Sequence, residues 1–109
     1  MITSKENPLF KAAKKLAGSA RERRKAGKTL LDGIHLVLAH YKAACLPEAI
    51  IISASAQNNP EIRDFLREAQ SSNLFVLADG LFREISTVET PTGIAALIRI
   101  PAPSVEEAD

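Results

Sequence analysis

The side chains with the clearest chemical potential lie in residues 2–28, ITSKENPLFKAAKKLAGSARERRKAGK. Nine residues of this stretch are Lys or Arg, and only two are acidic. Residues 1–28 sum to +7 and residues 29–109 to −6, although the whole chain carries only +1. Clustered cations neutralise phosphates and release their counterions, so a patch gains an affinity for polyanions that dispersed charges do not. A guanidinium can grip two phosphate oxygens at once. The candidate contacts are therefore Lys11, Lys14, Lys15, Arg21, Arg23, Arg24 and Lys28. The bland alternative is a solvated helix face that keeps the protein soluble; the asymmetry between the two parts of the chain favours binding. Phe10 is the one aromatic residue in the segment, and it could stack on a base or belong to a core. With so little to stack, recognition by shape and backbone is expected over readout of sequence.

Other chemistry is thinly supplied. The glycines at 18, 27, 33, 80 and 93 form neither a dinucleotide fingerprint nor a phosphate loop. His35 and His40 are five residues apart on an expected helix, so they face different ways, unlike an i, i+4 metal-binding pair, and read as structural or surface residues. Cys45 has no partner for an internal disulfide and reads as a buried, inert thiol; a lone cysteine fits a reducing cytoplasm. Glu89 lies in the turn-rich ETPTG without an evident acid partner. No catalytic, cofactor-binding or metal-binding residue is assigned, and the chain alone is expected to be inactive and to bind no cofactor.

The elements that must carry the basic segment follow from periodicity. Asn7-Pro8 is a helix start, followed by Leu9, Ala12, Ala13 and Leu16 on one stripe and Lys11, Lys14 and Lys15 on another. Gly18-Ser19 ends or bends that helix, and ARERRKAGK follows as a basic connector or a second helical turn, closed by Gly27. TLLD, EAIIIS, LFVLA and GIAALIRI read as strands. Between them lie helices carrying Ile34, Val37, Leu38 and Tyr41, then Ile62, Phe65, Leu66 and Ala69, then the short DGLFREIS with Asp79 as its expected cap. Ile51, Leu66, Val76 and Leu97 are expected in the core. The alternation predicts an α/β fold with a mostly parallel sheet, helices on both faces and a basic helix in front. Length and composition, 46% hydrophobic and 25% charged, fit one globular domain, read as residues 1–101, with 102–109 as an acidic tail or the start of a linker. Neither a membrane span nor a secretory signal is recognised.

Three stretches together, ITSKENPLFKAAKKL, RRKAGKTLLDG and LFREISTVETPTGIAALI, resemble the N-terminal substrate-binding domain of SpoU-type (TrmH-like) RNA 2'-O-ribose methyltransferases. The first matches at Ile2, Thr3, Ser4, Asn7, Pro8 and Lys11, and the second at Arg23, Gly27, Leu30, Leu31, Asp32 and Gly33. The third matches at Glu89, Thr90, Pro91, Gly93 and Ile94, with Thr92 where the family usually has Gln; Asp32 likewise stands for a usual Glu. The resemblance spans about residues 2–100. It implies a three-layer α/β/α sandwich like that of several ribosomal RNA-binding proteins, with the seven cations as RNA contacts. It also implies a cytoplasmic enzyme whose further, knotted domain binds S-adenosylmethionine, forms a homodimer and methylates ribosomal or transfer RNA. This chain would be a fragment of that enzyme holding the structured RNA. The alternatives are a protein-interaction module that meets an acidic partner, and a free-standing ribosome-associated RNA binder.

Overall fold

The computed structural model describes residues 1–43, 47–69, 73–86 and 93–100. Cys45, Glu89 to Thr92 and the acidic tail lie outside the described residues.

The elements run α1 (Pro8–Gly18), α2 (Ala20–Ala26), β1 (Lys28–Asp32), α3 (Ile34–Lys42), β2 (Ala49–Ser53), a 3-10 turn (Ala54–Asn58), α4 (Pro60–Glu68), β3 (Leu74–Leu77), α5 (Asp79–Ile85) and β4 (Ile94–Arg99). The four strands make one sheet in the order β1-β4-β2-β3. Side chains alternate across each strand, so neighbouring residues feed opposite layers. Ile50 and Ile52 of β2, with Ile94, Ala96 and Ile98 of β4, pack beneath α3 and α4 against Ile34, Val37, Ile62 and Phe65. Ile51 and Ala95 point to the other face, where α1 and α5 supply Phe10, Ala13, Leu81, Phe82 and Ile85. The result is the expected α/β/α sandwich. Ile51 and Leu97 are fully in the core, whereas Leu66 and Val76 are half-buried and pack against it.

The sheet is not mostly parallel. Among the described strands only β2 and β3 pair in parallel; β4 runs antiparallel to both β1 and β2. The cause is the path of α5. Asp79 at its start accepts a hydrogen bond from the Ser55 amide at 3.0 Å, beyond the end of β2. Ser86, just after its end, donates to Asp32 at 2.8 Å, at the end of β1. Both ends of this seven-residue helix therefore sit at the edge where β1, β2 and β3 terminate. Gly93 and Ile94 lead into β4 at that same edge, their carbonyls accepting from the Ser53 and Gly33 amides at 2.9 Å each, so β4 enters there and runs against its neighbours.

Local details correct two further expectations and add a turn not assigned from the sequence. Asp79 is the first residue of α5 and not its cap, because its carboxylate is directed to Ser55. Ala54–Asn58 forms a 3-10 turn, with the Ser53 hydroxyl accepting from the Ala56 amide at 3.3 Å. In α1 the buried stripe is Phe10, Ala13 and Leu16, with Ala12 exposed, because the helix turns to bury the much larger ring. At the open edge of β3, Ile2 adds a short parallel bridge, its amide donating to Val76 at 2.7 Å and its carbonyl accepting from Ala78 at 2.9 Å. That contact covers a strand edge otherwise free to pair with another chain.

Candidate nucleic-acid interface

Both halves of the basic arm are built by caps written in the sequence. The Asn7 side chain accepts from the amides of Leu9 and Phe10 at 2.9 and 3.3 Å, with Pro8 at the first helical position. The Ser19 hydroxyl accepts from the Glu22 amide at 3.2 Å and starts a second helix, the helical form that the sequence allowed for this basic stretch. Gly27 closes α2 at φ 68°, a left-handed conformation that glycine adopts without a Cβ penalty. Its amide returns to the Arg23 carbonyl at 2.9 Å, and its own carbonyl accepts from Ile100 at 2.8 Å, fixing the arm to the end of β4.

The seven candidate cations divide by what they touch. Lys11 pairs with Glu6 at 2.9 Å, Lys14 with Glu84 at 2.8 Å and Lys28 with Glu48 at 3.0 Å. Arg23 faces inward, its guanidinium donating to the Leu16 carbonyl at 2.6 Å and tying α2 to the last turn of α1. Lys15, Arg21 and Arg24 are exposed and pair with no described carboxylate, and the same holds for Lys25. Arg21, Arg24 and Lys25 stand at i, i+3 and i+4, so α2 presents them on one face. Lys25 was not among the sequence candidates; its helical spacing from Arg21 was the available signal. Lys5, Lys11, Lys14 and Lys15 also line an open depression of about 410 Å³ over Phe10. The Phe10 ring is buried at its floor, and the Lys14 ammonium lies 5.9 Å from the ring centroid.

Two glutamates anchor the margins of the arm. Hydrogen bonds from Lys14 first, and then from Lys5, hold the Glu84 carboxyl below the usual glutamate range. Glu48 is lowered likewise, chiefly by Lys28 and further by Arg99. A depressed carboxyl pKa means that the stabilising pairing is present above the unfolded value and is lost as pH falls through the folded one. These pairs are exposed and contribute little to stability. Lys14 and Lys28 can therefore exchange a carboxylate for a phosphate.

The position of Arg23 separates a scaffold residue from its basic neighbours. Arg23→Ala is expected to lower the unfolding free energy by about 1.5–3 kcal/mol, the range for a hydrogen bond from a charged donor. Urea denaturation measures this. The same variant should leave the salt dependence of polyanion binding nearly unchanged.

Among the described residues, no cluster of His, Cys, Asp and Glu could hold a metal ion, and no helix is long and apolar enough to cross a membrane. No match was found among curated protein sequences. Solved structures do share the fold. An RNA 2'-O ribose methyltransferase superposes with a TM-score of 0.78 over 95% of this chain at 23% identity. The SpoU methyltransferase AviRb from Streptomyces viridochromogenes, solved with AdoMet, gives 0.74 over 93% at 18% identity. An rRNA methyltransferase from Sinorhizobium meliloti gives 0.72 over 94% at 13% identity. This chain spans only 39%, 36% and 37% of those three proteins, respectively. In sequence, residues 7–96 match the MRM3-like substrate binding domain, from the cap of α1 to the middle of β4. Sequence pattern and fold agree on one conclusion: the chain belongs to the MRM3-like substrate binding domain family.

Proposed function

We propose that this domain holds a structured RNA, ribosomal or transfer, for an S-adenosylmethionine-dependent ribose 2'-O-methyltransferase of the cytoplasm. The carrying observation is the face of α2. Arg21, Arg24 and Lys25 share one face of α2, Lys15 is exposed on α1, and none of the four has a described carboxylate partner, in a chain whose residues 29–109 are net acidic. Lys11, Lys14 and Lys28 add cations that phosphate can release from glutamate. The basic face supplies phosphate contacts that position an RNA without reading its sequence. Methyl transfer and homodimer formation are assigned to a separate catalytic domain of the full enzyme. The likeness to a SpoU methyltransferase solved with AdoMet supports that assignment.

Fluorescence-anisotropy titration of the 109-residue chain with an RNA stem-loop, at several salt concentrations, tests the RNA-binding reading. Four phosphate contacts give a slope of log affinity against log salt of roughly −3. Replacing Lys15, Arg21, Arg24 and Lys25 with Ala should remove nearly all of that slope and weaken binding to many RNAs alike. An unchanged slope would clear these residues of the role. A wild-type chain that ignores RNA at low salt would favour an acidic protein partner instead.

A further inference from the structure

Phosphate contacts cannot choose a substrate by sequence, so a selective domain needs a second contact that reads a base. The sheet has a natural place for one. β2 and β3 are adjacent and parallel, but β2 is followed by α4 on one face and β3 by α5 on the other. Where neighbouring parallel strands send their connections to opposite faces, a crevice opens beyond their carboxyl ends, and ligands of α/β sheets bind there. This crevice has a volume of about 420 Å³. Buried Phe82 and Gly93 form its floor, and exposed Ser55, Asn58, Asp79 and Arg83 form its rim.

We propose that this crevice binds an unpaired guanine of the RNA, an inference that rests on the RNA-binding function proposed above. Unpaired bases are the part of an RNA that a protein can splay out and read on the Watson–Crick edge. Asp79 selects among them. Its carboxylate repels phosphate, and its two oxygens accept from two adjacent N–H donors. Guanine offers such a pair at N1 and N2. Adenine sets an acceptor beside its amino group, and the pyrimidines offer a single donor on this edge. One Asp79 oxygen already accepts from the Ser55 amide at 3.0 Å, which fixes the carboxylate at the rim. The Asn58 amide carries both a donor and acceptors for the rest of the base edge. Arg83 pairs with no described carboxylate, and its planar guanidinium can stack on the base or grip the following phosphate. The crevice also adjoins the arm. Glu84, the residue next to Arg83, meets Lys5 and Lys14, so a single stem-loop can lie on α1 and α2 and reach across the short α5.

The test is an NMR titration of the 15N-labelled 109-residue chain with guanosine and adenosine 5'-monophosphates, paired with anisotropy titrations of an RNA hairpin carrying a loop guanine and of its adenine-substituted twin. Guanosine monophosphate should shift the amides of Ser55, Asn58 and Arg83 and bind roughly tenfold tighter than the adenosine nucleotide. The guanine hairpin should exceed its twin by a similar factor. Asp79→Asn keeps an oxygen for the Ser55 amide and should abolish both preferences. Equal shifts with both nucleotides, shifts confined to residues 11–28, or a preference surviving Asp79→Asn would each overturn the inference. Two hairpins bound equally, with the salt slope of the arm, would sink the guanine site and leave the proposed function standing. Failure of both hairpins to bind at low salt would remove both.

Discussion

Gly93→Ala is expected to lower the unfolding free energy by about 2–5 kcal/mol, combining backbone strain with overpacking. Gly93 stands at φ 96°, where L side chains are rarely found, and a Cβ there would lie 2.7 Å from the Ala56 Cβ and 2.8 Å from the Ser53 Oγ. Neither neighbour can yield easily. Ala56 is buried in the 3-10 turn, and the Ser53 amide donates to the Gly93 carbonyl at 2.9 Å. The close approach is what lets β4 enter beside the end of β2. Gly80 is the control: nothing lies within 4 Å of the Cβ it would gain, inside α5. Gly80→Ala should stabilise by up to about 1 kcal/mol through helix propensity alone. Urea denaturation of both variants reads the contrast. A midpoint for Gly93→Ala equal to that of the unaltered chain would show that the approach of β4 to the 3-10 turn is wrong.

Phe10→Ala is expected to cost about 3–5 kcal/mol, the range for removing a buried aromatic side chain. The ring is 2% exposed and belongs to the cluster of Ile51, Leu77, Phe82 and Ile85 that joins α1 to the sheet and α5. It is the floor beneath the lysines of the arm and not a platform for a base. The variant should therefore lose stability while its folded fraction, at low temperature, keeps the salt slope of the unaltered chain. A variant with an unchanged unfolding midpoint and greatly weakened RNA binding would return Phe10 to a stacking role.

Much of this architecture was legible because its signals are local. Asn7-Pro8 and Asn59-Pro60 cap α1 and α4 as their residue types demand, and AIIIS and IAALIR are apolar up to their last residues, Ser53 and Arg99, because helices cover both faces of β2 and β4. The direction of β4 was not legible. It depends on α5 running along the sheet edge from Ser55 to Asp32, and those tertiary contacts leave no period in DGLFREI. The 3-10 turn at ASAQN was missed for a related reason, since five small or polar residues carry no apolar stripe. The arm was visible as charge, but charge alone did not sort its members. Arg23 and Arg24 are neighbours of one type, yet one donates into the Leu16 carbonyl while the other projects from α2. Only the phase of α2, set by Ser19 and Gly27, separates them.

The most direct test of the RNA-facing arm is an amide NMR spectrum of the 15N-labelled chain with and without an RNA stem-loop at low salt. Added RNA should broaden or shift the resonances of residues 11–28 first, strongest on α2 around Arg21, Arg24 and Lys25, and leave Leu36 and Ala39 on the outer face of α3 unmoved. The perturbation should fade as salt is raised, because phosphate contacts depend on counterion release. Changes centred on α3 and α4, with α2 silent, would contradict the assignment of the basic arm to RNA.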